Sequence, residues 1–248
     1  LRLALGVFLH QSLPMIGFDT DVQNAGYVYS DAYTRDLQAF RIASTPGSLF
    51  AAVRSAGHTD QYGGLLFLSA LVYRVLSPDV ARPLLITLLA ALAMTLGAAF
   101  LYAAARQRWG EKAAVFSTWF LALYPEGVLL GSSQMREPFL IAFLCLGLWA
   151  LCTWQDHRLS RSIVFVLAMA SAVLFSIPVG LLFTVSLLVF AFVGWLSVQT
   201  RLNSRLAGWA GAPSAAGGWA PSVATLPAPV ALMAGLRARQ HLSPAFQV

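Results

Sequence analysis

The sequence predicts an all-α protein, a polytopic transmembrane helix bundle. Hydrophobic residues make up 58% of the chain and charged residues 10%. Mean hydropathy is +0.70, and several apolar runs approach the ~20 residues that a helix needs to cross a bilayer. No water reaches the hydrocarbon core, so the backbone there must pair internally, and a helix achieves this within one segment. A formal charge of +6 would suit nucleic acid in a soluble domain. Here the basic residues sit in short connections between apolar runs, where they orient helices, and no nucleic-acid role is expected.

Residues 1–17 form the first expected span, apolar apart from Arg2, His10 and Gln11, with Pro14 placed to kink or end it. His10 reads either as a functional intramembrane group or as a histidine bonded to a neighbouring helix or lying near the interface. Residues 18–81 form an outer, water-facing loop, and five of the chain's ten acidic residues fall in its first part: Asp19, Asp21, Asp31, Asp36 and Asp60. Residues 31–43 have helical spacing, with Tyr33, Leu37, Phe40 and Ile42 apolar and Arg35, Asp36 and Arg41 between them. An amphipathic helix on the membrane surface is expected there, with Ser30 or Asp31 as its N-cap. Thr45-Pro46-Gly47-Ser48 reads as a turn, and residues 55–62 are polar again, with His58 and Asp60.

Residues 63–76 are apolar, but ~14 residues is too short for a comfortable span. A re-entrant or interfacial helix is expected, and Arg74 agrees. Further spans follow at about 82–105, 113–131 and 138–154. Residues 162–198 amount to two more, 162–176 and 179–198, joined by a tight turn at Pro178 in Ser176-Ile177-Pro178, with one long kinked helix as the alternative. Basic residues then set the sides. Arg106, Arg108 and Lys112, then Arg158 and Arg161, then Arg201 and Arg205 mark three connections as cytoplasmic. The 132–137 connection and the first loop consequently share the opposite side. Residues 1–198 are thus expected to be the transmembrane domain, and residues 199–248, rich in Ala, Gly and Pro, a flexible tail. The chain begins at Leu1 within an apolar segment and reads as a fragment. Cys145 and Cys152, seven apart in one apolar run, suit packing and fit no metal spacing or disulfide framework.

Two acidic loops on one side point to acid–base chemistry or cation binding. Asp31 and Asp36 are five apart, so on a helix they face different ways and one acts while the other caps or pairs with Arg35. Glu137 precedes Pro138, a residue suited to the first helical position, which puts the carboxylate at a helix's positive end beside Arg136. Purely structural roles account for the same residues: N-capping for Asp31, and capping with an Arg136 pair for Glu137. Glu126, after Tyr124-Pro125, is read as solvated or functional alike.

The order of these parts resembles the GT-C class of polytopic glycosyltransferases, including protein mannosyltransferases and aminoarabinose transferases. The resemblance rests on Asp31-Ala32-x-x-Arg35 in the first outer loop and a short helix with Tyr73-Arg74-Val75-Leu76. It also rests on the basic Ala105-Arg106-Gln107-Arg108-Trp109-Gly110, on Tyr124-Pro125, on Glu137-Pro138 and on Ile177-Pro178-Val179-Gly180. Ile177 and Ala32 depart from the pattern: the family often has Arg at the first and a second acidic residue at the second. The resemblance implies a sugar transfer from a polyprenyl-phosphate donor to a lipid, glycan or protein acceptor at the non-cytoplasmic face. It implies Asp31 as general base and Glu137 as orienting the acceptor or helping to hold a metal. Arg35 or Arg136 would neutralise the lipid phosphate, with Asp36 and His58 as further substrate contacts. It names no certain cofactor, leaves a divalent metal ion open, and places the protein in the bacterial inner membrane among membrane lipids. The alternatives are a transporter or flippase, or a non-catalytic membrane fragment.

Overall fold

The structure is a computed structural model and describes residues 1–50, 63–155 and 157–210. Among these it contains ten helices and no strand. His58, Asp60 and the tail beyond residue 210 lie outside the described residues. Two compact units are distinguished, Leu1–Val198 and Gln199–Val248, and the helices that carry chemistry belong to the first.

In order, α1 (Arg2–Ile16) has Pro14 in its last turn. The short α2 (Asp21–Asn24) follows, N-capped by the Thr20 hydroxyl. The amphipathic α3 spans Ser30–Ser44. Its N-cap is Tyr29, so the expectation of Ser30 or Asp31 is corrected by one or two residues. Tyr29 is the last residue with extended backbone (φ −120°, ψ 134°), and its carbonyl already accepts from the Tyr33 amide at 3.2 Å. Ser30 and Asp31 therefore lie in the first turn, where an acidic side chain still meets the positive helix end.

The short α4 (Gly64–Leu76) comes next, then the long α5 (Pro83–Trp109). The expected span over 113–131 is divided into α6 (Glu111–Leu123) and α7 (Pro125–Leu130). Pro125 lacks the amide hydrogen that would continue the ladder, so it starts a new helix instead. Then come α8 (Glu137–Cys152), α9 (Arg158–Phe175) and α10 (Ile177–Ala210), the last two separated by Ser176 alone. Among the described residues three stretches are long and apolar enough to cross a membrane: α5, α9 and Ile177–Ser197 of α10. Helices α1 and α8 have 15 and 16 residues, which at ~1.5 Å per residue reach roughly 22–24 Å.

The bundle packs on small residues. A Cβ on Gly97 of α5 would stand 3.0 Å from the Ala142 backbone of α8, the close approach that membrane helices use in place of a hydrophobic drive. Leu65, Ala90, Ala93, Phe139, Leu140, Ala172 and Phe175 form a core joining α4, α5, α8 and α9. Ala150, Phe165, Ala168, Met169 and Leu187 form another between α8, α9 and α10. Outward, α5 exposes Leu88, Leu92 and Leu96, and α6 exposes Phe116, Trp119, Phe120 and Leu123. Apolar stripes of this size suit lipid. Cys145 is buried and Cys152 half-buried, both as free thiols.

An outer tier sits at one end. There α3 lies on α4, with Ala39 and Ala43 packed among Leu66, Ala70, Tyr73 and Ile86. Arg74 of α4 donates to the carbonyls of Ile42 (2.8 Å), Ala43 (3.3 Å), Thr45 (3.0 Å) and Gly47 (2.8 Å). It thereby satisfies the C-terminal end of α3 with a positive charge. The start of α4 is pressed on α9, where a Cβ at Gly64 would lie 2.5 Å from the Leu174 carbonyl oxygen. The basic residues gather at the far end of α5, where Arg106 pairs with Glu111 at 2.9 Å. Arg161 stacks over Trp149 at 3.9 Å.

Substituting Gly64→Ala should destabilise the detergent-solubilised protein by about 1–3 kcal/mol through overpacking. Gly47→Ala, with nothing within 4 Å of the new methyl group, should leave the unfolding midpoint unchanged. In a background lacking the two native cysteines, Gln107→Cys and Glu126→Cys, both exposed positions, should react with impermeant reagents from opposite membrane sides. Labelling from one side would refute the assigned topology.

Candidate active site

The site is built where the outer tier meets the connection between α7 and α8. Asp36 is its buried anchor, 3% exposed. Its Oδ2 accepts from the Tyr27 hydroxyl and its Oδ1 from the Tyr73 hydroxyl, each at 2.6 Å. Tyr27 lies between α2 and α3, and Tyr73 lies on α4, so one carboxylate ties three segments together. Burial raises the Asp36 carboxyl above its ordinary value, opposed by the two phenols and by the charges of Arg35 and His10. The same burial, with Asp36 alongside, pushes both phenols up.

Arg35, adjacent on α3 and 6% exposed, donates from Nη1 to the Gln134 carbonyl at 3.0 Å. Gln134 in turn donates from Nε2 to the Pro83 carbonyl at 2.7 Å. The first loop, the 131–136 connection and the start of α5 are thus joined in sequence by two hydrogen bonds. Ser132 and Ser133 are buried in the same connection and bonded to the Val128 and Leu130 carbonyls. His10 reaches the loop too, its Nδ1 standing 3.3 Å from the Gly26 carbonyl oxygen. It lies midway along α1 and contacts a neighbouring loop.

Asp31 is different. It is exposed in the first turn of α3, and no described residue bonds its carboxylate. Five residues separate it from Asp36, and on a helix that spacing turns the two side chains ~140° apart. One faces water while the other is buried. Tyr29, immediately before α3, is raised by partial burial and by the negative charges of Glu126 and Glu137. The starts of α7 and α8 therefore lie within electrostatic reach of that phenol. Glu137 is the first residue of α8, with Arg136 as N-cap, one position earlier than the Pro138 start expected. Its Oε1 stands 3.6 Å from the Arg136 Nε. Its Oε2 is enclosed and without a hydrogen-bond partner. Glu126 accepts at Oε2 from the Tyr124 hydroxyl at 2.7 Å.

Of the residues singled out from sequence, the fold gathers Asp31, Arg35, Asp36, Arg136 and Glu137 at one end of the bundle. Tyr27 and Gln134 escape a reading of sequence alone, and so does the bond from Tyr73 to Asp36. The available signal is indirect: a tyrosine in an apolar helix, as at Tyr73, requires a partner for its hydroxyl. Among the described residues no group of three His, Cys, Asp or Glu side chains is placed to hold a metal ion.

Raising the Asp36 carboxyl means that the folded chain holds this proton more tightly than the unfolded one. Its contribution to stability is fully present below the ordinary value of 3.8 and is lost as pH rises through the folded value. Thermal unfolding of the wild type should therefore worsen relative to Asp36→Asn as pH climbs above about 4. A difference that does not change with pH would contradict that titration.

Residues 64–212 match the model of a family described as dolichyl-phosphate-mannose-protein mannosyltransferase. The matched stretch runs from α4 through α10 and includes Glu137; α3 precedes it. No curated protein and no solved structure matches the chain.

Proposed function

The chain belongs to the dolichyl-phosphate-mannose-protein mannosyltransferase family, and on that premise we propose that Asp31 is the general base of its transfer reaction. Membership makes the protein an integral-membrane glycosyltransferase that uses lipid-linked sugar donors. In the proposed step an acceptor hydroxyl attacks C1 of the donor sugar, on the non-cytoplasmic side. The bond from C1 to the phosphate oxygen breaks, polyprenyl phosphate leaves, and Asp31 takes the hydroxyl proton. Glu137 orients the acceptor from the start of α8. Arg136 draws the leaving phosphate, its planar fork of donors matching phosphate oxygens.

One observation supports this reading above the others: Asp31 is exposed and unclaimed while Asp36, on the same helix, has both oxygens bound by phenols. A base must be within hydrogen-bond reach of its proton and free to accept it. In this account Asp36 and Arg35 hold α3 in place, and Asp31 works from the helix they hold. Tyr29 adds support, because its phenol lies within electrostatic reach of Glu126 and Glu137.

Transfer of radiolabelled sugar from polyprenyl-phosphate donors, assayed in membranes, should fall about 100-fold or more in Asp31→Asn. Glu137→Gln should be impaired, and Asp21→Asn, an exposed change at the start of α2, should behave as wild type. An Asp31→Asn protein with full activity would refute the assignment.

A further inference from the structure

A cleft of ≈ 480 Å³ opens between α1 and the start of α5, lined by Leu3, His10, Arg82, Leu84, Leu85 and Leu88 among others. Its walls are aliphatic, and one of them continues the lipid-facing stripe of α5 through Leu88. A cation stands at its head. Arg82 is exposed, and its guanidinium has no hydrogen bond or ion pair with any described residue, the nearby Asp79 included. Arg82 precedes Pro83, whose carbonyl accepts from Gln134, and Gln134 is three residues from Glu137. The cationic head of the cleft therefore adjoins the connection that leads into the candidate site, while its apolar end runs along α5 for about one and a half helical turns.

From this geometry we infer that the cleft seats the lipid-linked sugar donor, its phosphate bound at Arg82 before reaction and drawn by Arg136 only as it leaves, with the first isoprenoid units against Leu84, Leu85, Leu88 and Leu3. Charge complementarity selects the occupant. An anionic headgroup on an unbranched or isoprenoid chain matches a single guanidinium above aliphatic walls, and Arg offers phosphate two donors at once. The adjacency to Gln134 selects the donor over bulk phospholipid, because the sugar beyond the phosphate then points towards Glu137 and the start of α3. The inference rests on the glycosyltransferase reading above and gives its donor a place.

Two measurements separate the inference from that reading. In the first, a single cysteine at Leu84 in a background without native cysteines is labelled in nanodiscs. Polyprenyl phosphate should protect it at concentrations at least about tenfold below those of phosphatidylglycerol, and inorganic phosphate should not protect. Equal protection by phosphatidylglycerol, protection by inorganic phosphate, or none at all would overturn the inference, whatever the activity. In the second, Arg82→Gln and Leu88→Trp should each raise the donor KM about tenfold with kcat within about twofold, because both remove ground-state binding. Arg82→Lys should recover part of the loss. Leu92→Trp, one turn further along the exposed stripe and outside the cleft, should match wild type. Transfer with an unchanged KM in both cleft variants would overturn the cleft and leave the enzyme reading intact; protection without transfer would do the reverse.

Discussion

The outer half of this molecule depends on one buried carboxylate. Taking Asp36 out of water is unfavourable by several kcal/mol unless its oxygens are satisfied, and the chain supplies two phenols, one to each oxygen. Those phenols come from opposite sides of the loop, Tyr27 before α3 and Tyr73 on α4, so the interaction can form only when α3 lies on α4. Helix α4 is itself seated on α9 through Gly64, which connects the amphipathic outer helix to the membrane bundle. Arg74 completes the arrangement by holding the last carbonyls of α3.

This anchoring explains how two aspartates five apart on one helix serve different ends. Asp36 has both oxygens engaged in internal hydrogen bonds, and Asp31 is left facing water with no side-chain partner among the described residues. The same division appears between Arg35 and Arg136. Arg35 is buried and spans to the Gln134 carbonyl, while Arg136 stays half-exposed beside Glu137. In each pair one member is buried and the other is more exposed.

Much of the fold was legible because the bilayer is a strict solvent. Apolar length marked α5, α9 and α10, the shortness of residues 63–76 marked α4, and alternating polarity marked α3. Turn chemistry pointed to a turn at Pro178, whereas the structure breaks at Ser176 and takes Pro178 into the first turn of α10. The break between α6 and α7 was harder, since the apolar run continues through Tyr124-Pro125 and only the missing amide hydrogen interrupts it. The site was legible in its charged members and not in their partners. Tyr73 meets Asp36 across 37 residues and Arg35 meets Gln134 across 99; no local periodicity encodes such distances. Arg74 illustrates the same limit. It reads as an interfacial charge, yet its work is to cap a helix that ends some thirty residues earlier.

The claim that the Asp36 node holds α3 in place is tested most directly by hydrogen exchange in nanodiscs, comparing wild type with Tyr27→Phe/Tyr73→Phe. Removing both donors leaves a buried carboxylate unsatisfied, so the account predicts loss of protection along Ser30–Ser44 while α5 and α8 exchange as before. Protection of α3 equal to wild type in the double variant would contradict the account, and would mean that the apolar contacts of α3 with α4 position Asp31 unaided.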